Sequence, residues 1–134
     1  MPKFLVSMLV LLACTAQAEE NDVLTVDRAV ANSIHLSFPN DSNIKPKESD
    51  FSIINYVLMS NDTGERWGVV TLINSSSGAR SFEQDHLIAL FADGSRGAPQ
   101  EYKLNFKAGE TQSITVSFGE YKFPILSIYS SDKL

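Results

Sequence analysis

The sequence predicts an all-β fold, a single antiparallel β-sandwich of seven to eight strands. Three observations lead there. Around the turn that carries Gly109, Tyr102, Leu104 and Phe106 alternate with polar neighbours on one side, and Ile114, Val116 and Phe118 do so on the other. A period of two on both sides of a turn is the mark of extended chain with one dry face. Apolar runs of strand length recur at short spacing, bounded by Gly, Pro, Asn, Asp and Ser. No segment carries apolar residues at a convincing helical spacing, and a helix over 27–33 would be too short and too polar to bury much.

Taken in order, residues 23–38 read as one long interrupted strand or two short ones, with a break at Ala31, Asn32 and Ser33. Residues 39–50, with Pro39, Pro46 and many small polar side chains, form a long loop. Residues 51–59 are apolar on both faces, Phe51, Ile53, Val57 and Met59 against Ile54, Tyr56 and Leu58, as in a central or covered strand. A turn at 61–64 leads to a strand at 66–74, again apolar on both sides. Residues 75–78 make a polar connection, and 86–92 a strand in which Leu87 and Phe91 oppose Ile88 and Leu90. The chain turns at 93–95 and stays loose through Pro99. The runs at 102–106 and 114–118 then form an antiparallel hairpin closed by Gly109, whose freedom at positive φ suits the reversal. Residues 125–129 close the sheet, and 130–134 are expected to fray.

The first eighteen residues have the form of an export signal: Lys3, an apolar run over 4–13, and a small-x-small site ending at Ala18. That run is too short to span a bilayer permanently. Residues 11–14 (LLAC) also resemble a lipobox, in which Cys14 would carry a lipid anchor. The expected organisation is a signal peptide at 1–18 and a β-sandwich at 19–134, periplasmic or secreted, or held to a membrane through Cys14. Cys14 is the only cysteine, so no disulfide can staple the remainder and its apolar core must suffice. The formal net charge of −5 argues against a nucleic-acid partner and against loose binding to anionic lipid.

From Trp67 onward the order of features resembles bacterial exported immunoglobulin-like domains. The resemblance rests on 68–76 (GVVTLINSS), 92–95 (ADGS), 108–111 (AGET), 114–118 (ITVSF) and 124–129 (PILSIY). It implies an immunoglobulin-like sandwich that binds a partner or acts as a spacer, with no shared catalytic residues. The paired cysteines of antibody domains are missing, so Trp67 has no disulfide to rest on.

No catalytic, cofactor-binding or metal-binding residue is assigned. Glu83, Asp85 and His86 could supply ligands from one strand end, but a zinc site would need His35 brought beside His86. Both histidines are expected as partly exposed strand residues. Met59 is the sole methionine beyond the first eighteen residues, which disfavours copper carriage. The serines lack a Gly-x-Ser-x-Gly setting, and no glycine-rich phosphate cradle is present. The sequons at Asn40, Asn61 and Asn74 read as turn residues. Residues 75–81 (SSSGARS) resemble the Ser-Gly-x-x-Tyr loop of bacterial inhibitors of c-type lysozyme, with Ser81 in the tyrosine's place. The sequence therefore points to a non-enzymatic exported domain whose partner is another envelope or extracellular protein, needing no cofactor. The alternative is inhibition of a secreted hydrolase such as lysozyme through the 75–81 loop.

Overall fold

The computed structural model describes residues 23–30 and 44–133. The expected signal peptide at 1–18, Cys14, Ala18, His35, Asn40 and the far part of the first strand at 31–38 lie outside the described residues.

Nine strands and no α-helix are present among them. They are β1 (Thr25–Val30), β2 (Phe51–Ser60), β3 (Glu65–Asn74), β4 (Arg80–Glu83), β5 (Ile88–Phe91), β6 (Arg96–Gly97), β7 (Lys103–Phe106), β8 (Thr111–Glu120) and β9 (Ile125–Tyr129). All pairings are antiparallel. One sheet has the order β1-β2-β3-β8, and the other two are the pair β4-β7 and the triplet β6-β5-β9.

The inner face of the four-stranded sheet gives Val30, Phe51, Ile53, Tyr56, Leu58, Val70, Leu72, Ile114 and Val116 to one apolar cluster. Phe82 and Phe106 from the β4-β7 pair, Leu87 just before β5, and Ala89, Phe91, Ile125 and Ile128 from the triplet complete it. The layers thus share a core, an arrangement compatible with a β-sandwich. They approach closely at Gly68, where a Cβ would stand 2.9 Å from the Ile128 Cδ1. Aromatic rings bridge the layers: Phe51 lies 5.4 Å from Phe82 and 5.1 Å from Phe106 between ring centres, and Phe91 stacks on Tyr121 at 3.8 Å.

Five expectations are corrected. The two-sided apolar pattern of residues 51–59 comes from a β-bulge, since the register against β3 shifts between Ile53 and Asn55. Ile54 is the extra residue and stands 40 % exposed, while Phe51, Ile53, Tyr56 and Leu58 all face the core. One inserted residue reverses the alternation beyond it.

The runs at 102–106 and 114–118 do not pair with each other. A tight turn joins them, with Gly109 at φ 67° and the Glu110 N–H donating to the Lys107 carbonyl at 3.1 Å. Yet β7 pairs with β4, and β8 pairs with β3. Their dry faces meet across the core, so the turn is a corner between layers. Alternation tells which side chains are buried and leaves the neighbouring strand undetermined.

His86 ends a 3-10 turn, Gln84–His86, before β5 begins, and is not a strand residue. The chain end is tied down where fraying was expected. A second 3-10 turn covers Ser131–Lys133, the Ser131 hydroxyl accepts the Ser49 N–H at 3.0 Å, and the Ser52 hydroxyl donates to Asp132 at 2.6 Å. The stretch read as loose after residue 95 contains β6, which pairs with β5.

Candidate functional site

The ligand group suggested by Glu83, Asp85 and His86 is put to structural use. The His86 side chain is buried, 5 % exposed, with its ring 5.3 Å from Phe51 and 5.6 Å from Phe82. Its Nδ1 accepts the Glu83 N–H at 3.0 Å, which closes the 3-10 turn. Burial, and after it the positive charge of Lys47, holds the imidazole below its usual pKa, against the opposing pull of Glu83 and Asp85. The Glu83 carboxylate is paired with Lys47 at 3.4 Å. Among the described residues no group of three His, Cys, Asp or Glu side chains could hold a metal ion.

The 75–81 loop is built from the buried Asn74. Its Nδ2 donates to the carbonyls of Gly78 and Lys107, both at 3.0 Å, and its Oδ1 accepts the Ser76 N–H at 3.0 Å. The Ser76 hydroxyl accepts the Gly78 N–H at 3.0 Å, so the loop's backbone is held from inside. Ser75, Ser77, Arg80 and Ser81 are exposed on it. Arg80 pairs with Asp50 at 3.2 Å. A sequon reading of Asn74 does not survive its burial, for the amide is spent on three hydrogen bonds.

A shallow recess of about 530 Å³ is lined by Ile44, Lys45, Lys47, Asp85, Ile88 and Arg96, among others. Lys47 there is bonded to Glu83, and Arg96 donates to the Tyr129 hydroxyl with its guanidinium over that ring. Two of its three cations are thus engaged within the fold.

The outer face of the four-stranded sheet is different. Register sets its cross-strand rows: Val26–Met59–Trp67–Ser117, then Ala29–Val57–Val69–Thr115, then Asn55–Thr71–Ser113. None of these eleven side chains ionises, in a chain where a fifth of the residues are charged. The part on β1 to β3 is largely apolar and holds the single tryptophan. On β8 it is a stripe of hydroxyls, one of them bonded to Thr71 at 2.7 Å from Ser113. Val26 is 64 % exposed, and Met59, Val57, Trp67 and Val69 are half-buried. The bulge at Ile54 hid this surface from the sequence reading by dividing β2 between two faces at the wrong residue. The legible signal was the uncharged run from Trp67 to Asn74, read as evidence of burial alone.

No protein-family model matches this chain, and no curated protein or solved structure is significantly similar to it.

Proposed function

We propose that the chain is an exported immunoglobulin-like β-sandwich that works by docking on another protein of the bacterial envelope or extracellular space, without catalysing a reaction. It reaches that compartment free or through a lipid on Cys14. The observation that supports this reading is the uncharged outer face around Trp67. Loss of charged side chains, with an aromatic residue and methionine in their place, is the composition of interface centres. Among the described residues no helix is long and apolar enough to cross a membrane.

Site-directed photo-crosslinking in the native envelope tests it. A crosslinker at exposed Asn55, on the outer face, should give a discrete adduct, and one at exposed Lys103, on β7, should not. Adducts from both sites alike, or from neither, would overturn the reading.

The internal bonding of the 75–81 loop supports a second reading, inhibition of a secreted hydrolase such as lysozyme. A preorganised exposed loop binds without first losing conformational entropy. Lysozyme assayed with micromolar excess of the purified protein decides this, and undiminished activity would end it.

A further inference from the structure

The two edges of the four-stranded sheet are built differently. The described part of the β1 edge, Thr25–Val30, carries Asp27 and Arg28 and is bulged between Val26 and Arg28. Short length, charge and a bulge are the ordinary defences against strand addition. The β8 edge is less defended: it runs ten residues, with no proline and no ionisable side chain from Thr111 to Gly119, and its one register shift against β3 falls past Ser117, at Phe118.

The backbone of β8 shows which groups are open. The Glu110 carbonyl accepts the Asn74 N–H, so it points toward β3. The Ser117 carbonyl accepts the Gln100 N–H, so it points away. No register shift intervenes, and alternation places the N–H and C=O groups of Thr111, Ser113 and Thr115 on the outward side with those of Ser117. Among the described residues no strand pairs with that side. Thr111, Ser113 and Thr115 are exposed.

We infer that this edge pairs with β8 of a second copy of the chain, antiparallel, about a two-fold axis at Ser113. That register sets Ser113 opposite Ser113 and Thr111 opposite Thr115, uses every open position, and leaves Ser117 to Gln100. Pairing Ser113 with Thr115 instead would set Thr111 against the occupied Ser117. The occupant follows from charge. Each copy has a net charge of −5, and this edge lets two acidic molecules meet with no carboxylates facing each other along the paired residues. Serine and threonine hydroxyls both donate and accept, so the stripe is complementary to itself, as the Thr71–Ser113 bond shows within one copy. The result is a continuous eight-stranded sheet joined by a closed, isologous contact. It goes beyond docking on a different protein, and uses an edge rather than the face around Trp67.

Sedimentation equilibrium of the purified protein, from micromolar to near-millimolar concentration, should show a reversible dimer. Ser113→Lys sets two ammonium groups opposite each other and should raise the dissociation constant by about tenfold or more, an effect that high salt relieves. Thr115→Pro removes an outward N–H that β3 does not use, and should abolish the dimer while the sheet is kept. Ser113→Cys should form a disulfide-linked dimer faster than Ala29→Cys on the β1 edge, since paired Cα atoms at about 5.5 Å suit that bond. Wild-type protein serves as the control for Cys14. A monomer at every concentration, a dimer indifferent to Ser113→Lys, or equal rates for the two cysteine variants would each overturn the pairing. A strand from another protein in place of the second copy would give the first of these outcomes. The Asn55 crosslinks would stand or fall separately.

Discussion

The inner and outer faces of the four-stranded sheet come from the same strands, often from adjacent residues, yet each is poor in charge for a different reason. On the inner face, Tyr56, Leu58, Val70, Leu72, Ile114 and Val116 are sealed by the second layer. A charge there would lose its hydration with nothing to replace it. On the outer face, no such penalty applies to Val26, Ala29 or Asn55, which are exposed. Folding explains the first pattern and leaves the second unexplained, and the proposed contact with another surface would account for it. The comparison teaches that hydropathy along a strand mixes two constraints, which separate only when the register is known.

The strongest test of the division removes a side chain from the sealed side. Phe51→Ala should lower unfolding free energy by about 3–5 kcal/mol, read from chemical denaturation, because Phe51 joins β2 to Phe82 and Phe106 of the second layer. A cost under about 1 kcal/mol would mean that the layers do not close there. Next in size is Asn74→Ala. It orphans the Gly78 and Lys107 carbonyls and the Ser76 N–H, and should cost about 1–3 kcal/mol while loosening the 75–81 loop to proteolysis.

His86 brings a titration to the inner side. Its folded pKa is depressed, so below the ordinary value of 6.5 the unfolded chain takes up a proton that the folded chain resists. The stability it contributes is fully present above that value and is lost as pH falls through the folded value. Thermal unfolding followed downward from neutrality should show this loss, and His86→Gln should flatten it. An unchanged slope in the variant would assign the acid sensitivity to other groups.

The smallest effects belong to the outer side. Val57→Lys should change stability by less than about 1 kcal/mol and yet weaken the Asn55 crosslink, while Ile54→Ser, at the bulge, should stay within about 0.5 kcal/mol. A large loss of stability from Val57→Lys would place that residue with the core and erase the distinction between the faces.

Much of the architecture was legible. The strands at 51–60, 65–74 and 125–129 and the turns at 61–64 and 93–95 stand where alternation and turn chemistry put them, and the reversal at Gly109 is in its expected place though not as a hairpin. Strand partners were not legible, because Leu104, Phe106, Ile114 and Val116 alternate alike whether they line one sheet or face each other from two. Ile54 was hidden because a bulged isoleucine reads as a buried one. His86 was misplaced for a related reason, since its polar neighbours conceal a turn that buries it between phenylalanines. The outer face could not be read as a surface until the bulge and the register were known.

The pairing of β3 with β8 has a consequence for the order in which a growing chain can assemble. Between them lie residues 75–110, which hold all of β4, β5, β6 and β7. A ribosome releases the meander β1-β2-β3 early, with Leu58, Val70 and Leu72 uncovered, and the residues that line them last, Ile125 and Ile128, only after all of β4 to β8. Until then the nascent polypeptide carries an adhesive half-built surface, so a premature stop before Ile125 should yield insoluble material rather than a slightly weaker domain.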